Sequence, residues 1–341
     1  MGTSTARIDG DALVLGGVRV RFVRTLRLPE RGTHPLPPGL GHFPLRRVED
    51  HPEAVPAAWL AKGGVMLPVH LREAMWLGFS GTVEPSALQV GVGKVCAVSG
   101  RPWSDRLDRS PQNYLVLPRQ PWLDGINSGR GTVRQFVAVP MGSGATVEGQ
   151  VTGEETVGGV QLQAFGLGEQ ARRAWRRARR EAPPMAFGGA AGGAPPAPGA
   201  APAARAASMR GTPAAAMGVG VGGSMRQQVF QDDRPPSDWA SRPAARTFVH
   251  LVPASRWQRI TGEAPPPSPV DRAAYTAAGL PWFDHYDEDG VDLTPSDALG
   301  AVRPVGDWLG DDQAPWQPPA PPQVHPLGDP RPGRPVADGD W

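Results

Sequence analysis

His70 and Glu73 stand three residues apart. On a helix that spacing puts both side chains on one face. An imidazole and a carboxylate so placed can work as acid and base, or supply two ligands to a metal. A metal needs at least one further ligand, and no His-x-x-x-His or Cys-x-x-Cys spacing occurs. The plainer reading is a solvated helix face beside a packed Trp76.

Other candidates are incomplete. Gly91-Val92-Gly93-Lys94 resembles the end of a phosphate loop, but Leu88 stands where the first glycine belongs and Val95 where a hydroxyl belongs. Cys96, the single cysteine, sits between Val95 and Ala97 in an apolar run and reads as a small buried hydrophobe. Asp287, Asp289 and Asp292 match half of a calcium loop, but His285 and Ser296 occupy positions that need an acid and a glutamate. Glu154 and Glu155 are neighbours at a turn, so they point to opposite faces. Gly142-Ser143-Gly144 reads as a hairpin turn and not as a nucleophile elbow. No cofactor is expected.

Partner signals are stronger. Residues 168–182 read as a basic helix in which Arg172, Arg173, Arg176, Arg177, Arg179 and Arg180 surround Trp175. Six arginines against Glu169 and Glu181 leave a local charge of +4. Such a surface can take an acidic partner or nucleic acid. Residues 284–312 hold nine acids against Arg303, a local charge of −8, so pairing within the chain or between copies competes with that reading. Trp103 and Trp122 on turns are candidate stacking platforms, with Asp124 and Gln135 as polar contacts and Trp282 on a further aromatic turn.

The elements that must position these residues are mostly strands. Leu13-Val14-Leu15, Gly16-Gly17 and Val18–Phe22 spell a β-hairpin with a two-residue turn. Leu67, Leu71, Met75 and Phe79 recur between Pro68 and Gly78, which predicts a short helix over 68–77. Strands are predicted at 88–98, 114–117, 132–139, 146–151 and 157–165, separated by glycine-bearing turns. Phe248–Val252 adds another. The fold class expected is mainly β with a short helix, an antiparallel sandwich or barrel-like body.

Five regions follow: a β-rich body over 1–167, the basic helix over 168–182, an Ala/Gly/Pro linker over 183–223, a second ordered segment over 224–310, and a Pro-rich tail over 311–341. In the linker 31 of 41 residues are Ala, Gly or Pro, too little apolar surface to offset ordering entropy, so it is expected to be disordered. The tail, with nine prolines, is expected to be disordered too. One strand is too few for an independent core, so 224–310 should dock on the body.

Several strings resemble a conserved bacterial protein family of uncharacterised activity: Arg72-Glu73-Ala74-Met75-Trp76, Gln120-Pro121-Trp122-Leu123-Asp124-Gly125, Arg134-Gln135-Phe136-Val137-Ala138 and Gly279-Leu280-Pro281-Trp282-Phe283. The resemblance spans both ordered parts and skips the linker. It implies one fold in two pieces and brings no activity.

The net charge of +2 gives no general reason for nucleic-acid binding. No 18-residue apolar run exists, so no membrane span is expected. The first ten residues lack an apolar core, so no secretory signal is expected and a cytoplasmic address follows. Eleven tryptophans against three tyrosines favour interfaces. The function expected is a non-enzymatic structural protein that self-associates, with a ligand-binding module as the alternative and an enzyme using His70 and Glu73 as the third reading.

Overall fold

The computed structural model describes residues 6–181, 216–269, 271–284, 291–310 and 318–327. Ten principal strands carry the fold: β1 (Arg7–Asp9), β2 (Ala12–Leu15), β3 (Val18–Thr25), β4 (Val65–Val69), β5 (Ala74–Gly78), β6 (Ser86–Val92), β7 (Thr132–Pro140), β8 (Val160–Gly166), β9 (Met217–Arg226) and β10 (Ala245–Pro253). They pair mostly antiparallel and do not close into a barrel.

Two runs of strands emerge. The first is β1-β2-β3-β5-β7-β9. The second is β6-β8-β10-β4, in which β10 and β4 run parallel. The runs join where Met217 pairs with Leu251. The β2–β3 turn is the Gly16–Gly17 pair, with φ of 57° and 92°. Both signs are positive, as a two-residue hairpin turn of this kind demands.

Side-chain alternation builds one core from both runs. Leu13, Leu15, Val20 and Phe22 of the first run share a cluster with Leu88, Val90, Leu162, Val249 and Leu251 of the second. The opposite face of β6, β8 and β10 carries Gln89, Gln163 and Arg246, which are cross-strand neighbours. Helix α1 (Val147–Thr152) follows β7 and helix α2 (Glu169–Glu181) follows β8.

Three expectations are corrected. Residues 68–77 are not a helix: Pro68 and Val69 end β4, and Ala74 begins β5. Spacing of four between Leu67, Leu71, Met75 and Phe79 fits strand alternation as well as a helix turn. Both strands are also buried along their whole length, which erases the period that would distinguish them. Residues 147–151 lie in helix α1 and not in a strand. The Thr146 side chain caps it, accepting a hydrogen bond from the Gly149 amide at 2.9 Å, and Gly153 ends it at φ 82°. The predicted linker runs too far, because 217–223 belong to β9, which pairs along β7. Gly220 and Gly223 are needed there for close approach: an added Cβ would sit 2.6 Å from the Ala145 carbonyl and 1.9 Å from that of Pro29. Linker residues 183–215 lie outside the described residues, as do 311–317 and 328–341 of the tail. Tail residues 324–326 pair in parallel with 282–284.

Candidate ligand-binding cleft

The residues singled out for chemistry are engaged by the protein itself. Glu73 lies in the β4–β5 turn and is buried. Its Oε1 accepts from Arg24 Nε at 2.6 Å and its Oε2 from the His70 amide at 2.8 Å. Burial raises its pKa, with Arg24 opposing. The His70 ring points elsewhere, its Nε2 2.9 Å from the Pro266 carbonyl. Acid and base therefore do not share a reactive space.

Trp122 is buried and donates from its indole to Asp124 Oδ2 at 2.6 Å. Gln227 clamps the same carboxylate at 2.7 Å. Burial pushes the Asp124 pKa up to about 7 against this help from Trp122. Gln135 bridges to the chain at 26–28: its Oε1 accepts from the Leu28 amide at 2.9 Å and its Nε2 donates to the Leu26 carbonyl at 2.8 Å. Trp282 is fully buried with Tyr275 edge-on at 5.8 Å. None of these four offers a free surface, so the stacking role predicted for Trp122 and the contact roles predicted for Asp124 and Gln135 give way to structural ones. Trp103 differs. It is half-buried, and its ring covers Gly91, where an added Cβ would come within 2.6 Å.

Cys96 is buried, and burial raises its pKa. Ser143 follows β7 and precedes α1, so a strand–turn–helix context is present after all. Its hydroxyl donates to the Pro140 carbonyl at 2.7 Å. Glu155 accepts from Thr146 and Gly142. Burial would raise its pKa, yet these hydrogen bonds outweigh it and hold the carboxyl low. Asp292 accepts from the amides of Val229 and Gly131, and Asp287 and Asp289 lie outside the described residues. Among the described residues no three His, Cys, Asp or Glu side chains gather as a metal set.

On α2, Arg172 and Arg176 both turn to Glu84, at 2.5 Å and 3.5 Å. Arg173 pairs with Glu169. Arg177 is exposed. Trp175 packs against the cluster of Tyr114, Phe165 and Trp239, which anchors the helix.

A cleft that sequence reading missed lies on the face of β8 and β10 that carries Gln163 and Arg246. It has a volume of about 1110 Å³ and is lined by Arg7, Arg47, Arg106, Arg242 and Arg246, with Gln163 also lining it. Glu49 and Asp105 line it too, and Arg47 pairs with Glu49. Among the described residues Arg7, Arg106, Arg242 and Arg246 form no ion pair, and all four are exposed. Four guanidinium groups around one concavity give it a positive field that low-dielectric walls concentrate. The missed signal was Gln161-x-Gln163 alternating with Val160, Leu162 and Ala164, a polar face on a strand whose other face is core. Arg246 on β10 follows the same logic, next to the buried Ala245.

No family model, curated protein or solved structure matches the chain.

No helix among the described residues is long and apolar enough to cross a membrane.

Proposed function

We propose that this protein is a non-enzymatic binding module that takes an anionic ligand in the arginine-lined cleft. One observation carries the reading: four arginines that form no ion pair line one concavity, while the polar groups expected to do chemistry are spent on the protein itself. Arginine presents a planar fork of donors suited to phosphate and carboxylate groups. Sites of this kind are concave and hold a few placed polar groups.

The test is calorimetric titration of the full chain with tripolyphosphate at fixed ionic strength. Binding is expected, with an affinity that falls as salt rises. Arg242→Ala and Arg246→Ala should each weaken it by about 1.5–3 kcal/mol, the worth of a hydrogen bond to a charged group. Heat indistinguishable from dilution would end the reading.

Self-association is the second proposal. Tryptophans contribute little to it, since Trp59, Trp76, Trp122, Trp239, Trp257 and Trp282 are all buried. What favours it now is charge: Arg177 and Arg180 on α2 face solvent, and an acidic segment of a second copy would neutralise them. Light scattering at low and moderate salt separates a dimer from a monomer.

A further inference from the structure

We infer that the ligand of this cleft is a nucleotide, whose phosphates meet the arginines and whose base amine meets Gln163. The inference rests on the anion-binding reading above and deepens it.

A relay of amides crosses this sheet face. Gln163 on β8, Gln89 on β6 and Arg246 on β10 stand in one cross-strand row on one sheet face. The Gln89 Nε2 donates to the Arg106 carbonyl at 2.9 Å. That bond fixes the Gln89 amide, because a carbonyl can only accept. Gln89 Oε1 therefore faces Gln163 and accepts from its Nε2 at 2.9 Å. The relay leaves one polar atom over. Gln163 Oε1 is buried and has no hydrogen-bond partner, in a side chain that is 0% exposed and lines the cleft.

Buried polar atoms without partners are rare and costly. This one can only accept, so it asks for an N–H or O–H donor. The arginines around it can only donate, so they ask for an anion. A fully deprotonated anion satisfies the second need and not the first. Both needs are met by a molecule with a phosphate at one end and an amino group at the other.

A third feature bears on the middle of such a molecule. Gln161 is the next residue along β8 on the same face, about 7 Å from Gln163 by strand geometry. It pairs with Gly91, and the Trp103 ring covers that glycine. An indole thus covers the row next to the one that holds the unpartnered acceptor. Aromatic faces beside basic groups are how proteins hold bases without reading sequence. The cleft volume of about 1110 Å³ has room for a nucleoside triphosphate.

The experiment titrates the full chain with ATP, purine riboside triphosphate and tripolyphosphate, in native protein and in Gln163→Leu. Purine riboside triphosphate lacks the amine and keeps the ring and the phosphates. ATP is expected to bind at least tenfold more tightly than either of the other two. Gln163→Leu should erase the lead of ATP over purine riboside triphosphate and leave tripolyphosphate affinity unchanged. Trp103→Ala should weaken both nucleotides and spare tripolyphosphate. If Gln163→Leu fails to fold, the comparison of ATP with its amine-free analogue in native protein reads the same contact. Tripolyphosphate binding as tight as ATP would overturn the nucleotide inference and leave the anion reading standing. An ATP affinity that Gln163→Leu does not change, or that the amine-free analogue matches, would overturn it as well. Absence of binding by all three would overturn both.

Discussion

Trp122 donates its indole proton to the carboxyl of Asp124, two residues away, at 2.6 Å inside the core. The Gln227 amide completes the pair, donating to the same oxygen at 2.7 Å and accepting from the Asp124 amide at 2.9 Å. A carboxyl taken out of water titrates at about 7 here, against about 4 in an unfolded chain. Between those values the folded state holds a proton that the unfolded state has released. The contribution of this group is therefore full below about pH 4 and is lost as pH rises through 7, by a few kcal/mol in all.

Asp124→Asn should remove that slope. The amide keeps an acceptor for Trp122 and never ionises. Above pH 7 the variant is expected to melt several degrees higher than the native protein. Below pH 4 the two should melt together. Denaturation curves from pH 4 to 8 check this, and a native pH slope surviving in the variant would assign it to another group.

His250 gives the opposite slope. Its ring lies between Trp59, stacked at 4.5 Å, and Phe248, at 4.4 Å, and its Nε2 donates to the Gly63 carbonyl at 3.0 Å. Burial lowers its pKa to about 4, with Lys62 adding to the effect. Between pH 6.5 and 4 the unfolded state binds a proton that the folded state does not. This contribution is full above 6.5 and is lost as pH falls toward 4, on the order of 3 kcal/mol. His250→Phe keeps the stack and cannot titrate. Its melting temperature should change less between pH 6.5 and 4 than that of the native protein.

How much of this was legible beforehand depends on whether a residue's neighbours in sequence reveal its neighbours in space. Gly16–Gly17 could be read because the turn and its two strands are contiguous. The β4–β5 pair could not, since strands buried on both faces carry no alternation to see. In β9, Met217, Val219 and Val221 do alternate, but with glycines, and composition hid the strand inside what read as a linker. The glycines are there because Ala145 and Pro29 press against them from far along the chain. The roles of Trp122 and Gln135 escaped for the same reason. A tryptophan on a turn reads as exposed until Gln227, 105 residues later, arrives to cover its carbonyl.

Cys96 is expected to be inert in the folded protein. Its thiol approaches the Asn113 carbonyl at 3.4 Å and burial raises its pKa, so little thiolate forms at neutral pH. Labelling by a thiol reagent should proceed at the rate of unfolding and accelerate with denaturant. Cys96→Ser offers a hydroxyl to the same carbonyl and should cost about 1–2 kcal/mol. Rapid labelling of the native state would contradict the buried placement.

The two pieces of the chain are expected to fold only together. Residues 216–327 supply β9 and β10, which are interior strands and not appendages. β9 pairs with β7 from Thr132 to Pro140, and β10 lies between β8 and β4. A chain ending at residue 181 would leave those three strands with open edges, which invite aggregation. It would also lose Met217, Val219, Val221, Val249 and Leu251 from the main cluster. Five such side chains at about 2 kcal/mol each come to roughly 10 kcal/mol. That is comparable to the whole stability of a typical domain, so residues 1–181 alone should be insoluble or lack a cooperative transition. Co-expression with 216–327 should restore a soluble complex that melts in one step, because sheet pairing already matches the two partners. A soluble 1–181 fragment with its own sharp transition would show that the first piece has a complete core without β9 and β10.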